Sequence, residues 1–194
     1  EATSRIGALQ ARIRPHFLFN SMKTRAALTR TNPEAAEQAT EDLADLFRAS
    51  LASPSGSISL EQELEVMRVY QRMEEQRLGD RLSVDWQLGS VPLETRVPGL
   101  TIQPLLENAI YHGIEPLAEG GVIHVKGEVC EDMVMISVTN PVNPDQGQRS
   151  SQGNQLALDN IRQRLELAYG DKARLHIEIL ADTFCVQVGF PLAA

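Results

Sequence analysis

Between Leu78 and Leu82 the apolar pattern of this chain changes period, and the change fixes what it can fold into. Before it, apolar residues recur at three and four, the spacing of one helix face. After it, "LSVDWQL", "VIHVKGEVC", "MVMISVTN", "RLHIEIL" and "TFCVQVGF" alternate residue by residue, the spacing of half-buried strands. A chain of 194 residues divided in this way reads as an α+β protein. Its helical part comes first, followed from about residue 58 by an α/β sandwich with helices on one face of a mixed sheet.

The helical part reads as a hairpin. Ile6, Leu9, Ile13 and His16 form one stripe, with Phe17 beside it. "TNPEAAE" stops that helix and starts another. Thr31 or Asn32 can cap, Pro33 suits the first helical position, and Glu34 favours the positive N-terminal end. Ala36, Ala39, Leu43, Leu46 and Leu51 then face inward. One hairpin cannot bury its own stripe, whereas two copies make a four-helix bundle, so a homodimer is expected through residues 1 to about 55. "SPSGS" reads as a linker. The expected domains are 1–57 and 58–194. "SLEQELEVMRVYQRMEEQRLGD" is a third helix, with Ser59 and Gln62 in capping-box positions. "PGLTIQPLLENAIYHGI" reads as a helix after Pro98, and "QLALDNIRQRLELAYG" as one ending at Gly170. The two alternating pairs read as hairpins, the first turning at Glu131-Asp132. "NPVNPDQGQRSSQGN" is a polar loop longer than a compact domain normally keeps without a purpose.

Composition narrows the classes. The chain is 42% hydrophobic and 23% charged, which is globular, and no apolar run approaches the roughly 18 residues that span a bilayer. Its net charge is -8, yet up to Asn32 one acid, Glu1, faces Arg5, Arg12, Arg14, Lys23, Arg25 and Arg30. Those bases interleave with helix-spaced apolar residues. A solvated face, or one for an acidic protein partner, fits better than direct nucleic-acid binding. Cys130 and Cys185 lie in alternating stretches and form no Cys-x-x-Cys, so they read as two reduced core residues. His16, His112, His124 and His176 lack zinc-site spacing.

Two stretches are polar in unusual places. In "PLLENAIYHG", Glu107 and Asn108 interrupt an apolar helix, and Asn108 shares a face with His112 four residues on. The Asn108 amide offers Mg²⁺ a neutral oxygen of the kind nucleotide sites use beside phosphates and water. The same residues can equally satisfy local backbone at a helix end. In "IRPHFLFNS", Pro15 removes a helix hydrogen bond just before His16. His16 is either a bundle histidine continuing the stripe or a nucleophile.

"IRPHFLFN", "LTIQPLLENAIYHGI", "GNQLALDNIRQRL" and Thr183 before an alternating strand occur in this order over nearly the whole chain. In this the sequence resembles the LytS/YehU-like sensor histidine kinases. The resemblance implies a dimerisation and phosphotransfer hairpin followed by a Bergerat-type ATP-binding domain using ATP and Mg²⁺. It places the phosphate-accepting histidine at His16, where neutral imidazole is a competent nucleophile near pH 7. It also implies a response-regulator partner of LytTR type and a place on the cytoplasmic side of a bacterial inner membrane, anchored through a region outside this sequence. Asn20, one turn after His16, can orient a water for phosphate removal or fix bundle register. Many such kinases carry an acid directly after the histidine. Phe17 stands there, so the base is not identified.

The ATP domain departs from the family pattern. Where an Asp-Asn-Gly turn would read the adenine amino group, the chain has Thr139-Asn140-Pro141. Asn140 can accept that hydrogen bond without charge. The family's Gly-x-Gly-Ile-Gly-Leu-x-Asn phosphate loop becomes Gly153-Asn154-Gln155-Leu156-Ala157-Leu158-Asp159-Asn160. Gln155 and Ala157 replace glycines that allow positive φ, so the loop must take another path or hold ATP less well. Gly153, Asn160 and Thr183 match. An active kinase therefore stands beside an alternative: a pseudokinase-like dimer with a degraded ATP site that binds, and with Asn20 dephosphorylates, its regulator.

Overall fold

The computed structural model describes residues 15–51, 57–142 and 152–192. In chain order the elements are α1 (Pro15–Thr31), α2 (Pro33–Leu51), β1 (Ser57–Ser59), α3 (Leu60–Leu78), β2 (Leu82–Gln87), β3 (Arg96–Pro98), α4 (Gln103–Asn108), a π-helical turn (Ala109–Ile114), β4 (Gly121–Cys130), β5 (Met133–Pro141), α5 (Gln152–Tyr169), β6 (Arg174–Ile179) and β7 (Thr183–Pro191). Among the described residues, no helix is long and apolar enough to cross a membrane.

The hairpin turn follows from Asn32. Its side-chain oxygen accepts the Ala35 N–H at 3.1 Å, and its own N–H donates to Leu28 O at 2.8 Å. Asn32 is therefore the cap, while the Thr31 hydroxyl donates back to Ala27 O at 3.3 Å. Pro33 then opens α2, where its missing N–H costs nothing. Ala39 and Leu43 are buried as expected. The Ile6, Leu9 and Ile13 part of the stripe lies outside the described residues, as do the side chains of Leu46 and Leu51.

Both hairpin helices pack on α3. One charged contact fixes that seam: Asp42 of α2, only 2% exposed, accepts from Arg72 Nη2 of α3 at 2.8 Å. α3 starts on the expected capping box, with Gln62 N–H donating to Ser59 Oγ at 3.2 Å and Ser59 N–H to Gln62 Oε1 at 3.0 Å.

Five strands form the sheet in the order β2-β4-β5-β7-β6. β2 runs parallel to β4, and every other pair is antiparallel. β1 and β3 form a separate short antiparallel pair. Ile123, Val125, Val134, Ile136, Val138, Val186, Val188 and Phe190 turn one sheet face into the core shared with α3, α4 and α5. Period-two alternation sends intervening residues to the opposite face, and this corrects the reading of the cysteines. Cys130 is exposed and Cys185 half-buried, both as free thiols; neither is a core residue.

The largest departure lies between Pro98 and Gln103. The expected helix does not begin after Pro98, because residues 96–98 pair as β3 and Leu100 takes φ 57°. Glu63 of α3, fully buried, reaches into this turn. Its Oε2 accepts the Leu100 N–H at 2.8 Å, and its Oε1 accepts the Ile102 and Gln103 N–H groups at 2.7 and 3.1 Å. Arg164 of α5 donates to Gly99 O at 2.9 Å and also to Leu100 O. Donors and acceptors of one irregular turn are thus met by two distant helices, and α4 starts only beyond it.

Glu63→Gln leaves one acceptor oxygen and turns an NH₂ toward a backbone N–H. This variant should lose about 1–3 kcal/mol of stability, and Glu63→Ala more, because three buried donors lose their partner. Urea unfolding at unchanged m-value measures it. Native-like midpoints in both variants would show that the turn does not depend on this carboxylate.

Candidate functional site

Asn108 ends α4 and is 4% exposed; Gln103 and Glu107 of the same helix are buried too, and Gln103 Nε2 lies 3.5 Å from Glu107 Oε2. Directly after Asn108 the backbone widens into the π-turn, closed by the Glu115 N–H donating to Ile110 O at 2.9 Å. This corrects the reading of one α-helix in which Asn108 and His112 share a face. His112 belongs to the wider turn, half-buried, with its ring edge-on to Tyr111 at 4.8 Å between centroids. Nothing in the residue types announced the change, since "AIYHGI" suits an α-turn equally.

The π-turn packs on β4 and β5. Its Gly113 meets Asn140: a Cβ at position 113 would stand 2.7 Å from Asn140 Cγ, closer than side chains approach. Asn140 is itself 4% exposed, and its Nδ2 donates to Pro141 O at 2.8 Å. That bond gives the amide nitrogen its partner and presents the oxygen as acceptor, the polarity an exocyclic amino group requires. The β5–β7 register sets Asn140 opposite Phe184 and Pro141 opposite Thr183. Asn108, His112, Asn140 and Thr183 therefore sit on elements packed at one end of the sheet.

α5 also packs on α4 and carries Gly153 and Asn160. Here the structure answers the question of the loop's path. The expected glycine loop is wound into helix from Gln152, and positive φ among non-glycine residues is confined, among those described, to Leu100 and Glu131. Gln155 and Ala157 thus bear no left-handed strain; Gln, Leu and Ala are good helix formers, which suits the winding. The first turn of such a helix has N–H groups without intrahelical partners, a ready cradle for phosphate. Asn160 is exposed on α5 and is not drawn into the buried group. At its far end Tyr169, whose hydroxyl is pushed up to about 12 by burial, donates to Arg96 O at 2.6 Å and ties α5 to β3.

His16 and Asn20 lie in the first turns of α1. Their side chains are outside what the structure describes. Among the described residues, no group of three or more His, Cys, Asp or Glu side chains is placed to hold a metal ion.

Three residues that hold the site escaped the sequence reading. Besides Glu63 and Arg164, Arg81 beyond α3 donates through Nη2 to Glu115 O at 3.0 Å and Leu117 O at 2.8 Å. An isolated acid or arginine on a helix surface carries no sign of a backbone partner tens of residues away.

Residues 4–82 match the histidine kinase family. The chain is 34% identical over 181 residues to the sensor histidine kinase YpdA of Escherichia coli (strain K12), covering 89% of this chain and 32% of that protein. It is 31% identical over 184 residues to the sensor protein LytS of Staphylococcus haemolyticus (strain JCSC1435), with 89% and 32% covered. It therefore spans about a third of the length of the curated relatives it matches. Among solved structures, the catalytic domain of histidine kinase ThkA overlays with a TM-score of 0.51 at 17% identity, covering 71% of this chain and 97% of that domain. That overlay shows a shared α+β sandwich fold. By sequence, the chain thus resembles LytS-type sensor histidine kinases over most of its length.

The Gly113–Asn140 contact is directly testable. Gly113→Ala should cost about 1–3 kcal/mol by overpacking. In an Asn140→Ala background the cost should largely vanish, because the colliding atoms are gone. Equal costs in both backgrounds, measured by denaturant titration, would show that the two residues do not meet.

Proposed function

We propose that this chain is the phosphotransfer and ATP-binding part of a two-component sensor histidine kinase of the LytS type. ATP and Mg²⁺ bind between the Asn108 segment, the β5 end and the start of α5. The γ-phosphoryl passes to His16 and then to an aspartate of a response regulator of LytTR type. The observation that carries this reading is the joining of two parts. A Pro-His-Phe-Leu-Phe-Asn helix packs on α3, and α3 in turn holds the segment bearing Asn108.

The residues fit the groups assigned to them. Asn108 supplies Mg²⁺ with a neutral amide oxygen, and most of the cation's remaining ligands come from phosphate and water. Asn140, oriented by the Pro141 carbonyl, accepts from the adenine amino group. The first turn of α5, with Gly153, receives phosphate; His112, Asn160 and Thr183 line the approach. Positioning and electrostatics supply the rate, as in phosphoryl transfer generally. Asn20 directs water onto the phosphorus of the regulator's phospho-aspartate, which breaks the acyl phosphate P–O bond and releases inorganic phosphate and the free carboxylate. The chain dimerises through residues 1 to about 55, forming a four-helix bundle, and stands on the cytoplasmic side of a bacterial inner membrane. We also read the order of its motifs as resembling the alginate regulator AlgZ.

One observation favours the second reading, a pseudokinase-like dimer acting on its regulator without using ATP. Residues 153–160 are wound into α5, so most N–H groups of the former glycine loop are spent inside the helix. Only the first turn remains for phosphate.

Incubation with γ-labelled ATP and Mg²⁺ separates the readings. Label should enter the native chain and not His16→Gln, and it should be labile to acid and stable to base, as phosphohistidine is. Nucleotide-independent regulator binding without label would establish the second reading and reject the first.

A further inference from the structure

The π-turn needs a reason to exist. Such turns are rare, because they trade an α-helix's close hydrogen bonds for a wider ring, and they persist where the surroundings hold them. Here the segment made of α4 and the π-turn is held at both ends by side chains from α3 and its extension. Glu63 takes the N–H groups at the entry to α4. At the exit, Arg81 Nη2 donates to Glu115 O and Leu117 O and lies 3.5 Å from Ile114 O, the last residue of the turn. Arg77 pairs with Glu74 and Glu115 beside it. Arg81 is fixed in its own backbone as well. Leu82 pairs with Gly121, and Gly120, at φ 71°, closes so tightly on the Arg81 backbone that no Cβ fits.

We propose that Arg81 is a positioning residue for base recognition. It keeps the turn in its π form, the π form keeps Gly113 against Asn140, and that contact keeps the Asn140 amide oxygen presented to the base. The inference rests on the reading of this region as a nucleotide site. With the exit released, the turn relaxes toward α-helical geometry and residues beyond Asn108 rotate. Gly113 withdraws, and the Asn140 amide gains room to turn its nitrogen outward. The site then loses its preference for a purine that donates at position 6 over one that accepts there. Lysine cannot replace the guanidinium fully, since one compact ammonium does not reach several carbonyls in the fixed geometry of the fork.

The discriminating pair is ATP, with a 6-amino group, against inosine triphosphate, with a 6-oxo group. Affinities for both are measured by calorimetry on the native chain, Arg81→Met, Arg81→Lys and Arg72→Met. The last is destabilised on the opposite seam of α3 and controls for loss of stability alone. Native protein should prefer ATP by about tenfold or more, the usual consequence of a buried polar group left unpaired by the wrong ligand. Arg81→Met should bring the ratio close to one, Arg81→Lys to an intermediate value, and Arg72→Met should keep the native ratio. Where Arg81→Met does not fold, the Arg81→Lys ratio decides. Weakened binding of both nucleotides at an unchanged ratio would overturn the positioning role and leave Arg81 a purely structural cap. A native chain that binds neither nucleotide, or both equally, would overturn the base-reading assignment of Asn140 and the inference with it.

Discussion

A single buried carboxylate organises the sandwich half of this molecule. Glu63 projects from the first turn of α3 into a turn whose backbone has no regular hydrogen-bonding pattern of its own, and it accepts the N–H groups of Leu100, Ile102 and Gln103. Burial pushes its carboxyl up from the ordinary value while those donors pull it down. Burial is the larger effect, and the converging donors offset only part of it. Just beyond the far end of α3, Arg81 meets the carbonyls at the other end of the same segment. α3 acts as a ruler with an acid at one end and a base at the other. The acid meets the N-terminal side of the held segment and the base its C-terminal side, the arrangement the helix dipole favours.

Much of this fold was legible from residue order. The change of period at the end of α3, the Ser59–Gln62 box, the Asn32-Pro33 break and the two hairpins each rest on local chemistry, and local chemistry is what a sequence displays. The failures have a common cause. The late start of α4, the left-handed Leu100 and the π-turn are imposed by Glu63, Arg164 and Arg81, partners that only tertiary folding brings near. The cysteines were misplaced because alternation gives two faces without saying which is covered. At the site, the segments around Asn108 and Asn140 were legible as motifs, but their contact through Gly113 was not. The replaced glycines at 155 and 157 read as strain, whereas the chain avoids strain by winding the stretch into α5.

This architecture bears on how a histidine on a hairpin could meet a nucleotide on a sandwich. Among the described residues, the hairpin docks on α3 through apolar residues and an ion pair whose acid, Asp42, is almost fully buried. A buried charge gains less from docking than an apolar side chain of its size, because it gives up hydration. Such seams separate more readily than uniformly apolar ones. α3 also touches both parts, so any shift of the hairpin along it is felt at the ends of the Asn108 segment. Packing and electrostatics thus couple the hairpin that carries His16 to the proposed nucleotide site without a dedicated lever.

The account's central claim is that nucleotide binds between the Asn108 segment, the β5 end and the start of α5. Amide hydrogen exchange with and without Mg·ATP tests it most directly, because each of these segments reports its own opening. The account predicts slower exchange in residues 103–114, 139–142 and 152–156 on addition of Mg·ATP, with β6 unchanged at the far edge of the sheet. Protection that appears in β6, or only in α1 and α2, with the Asn108 segment unaltered, would contradict it.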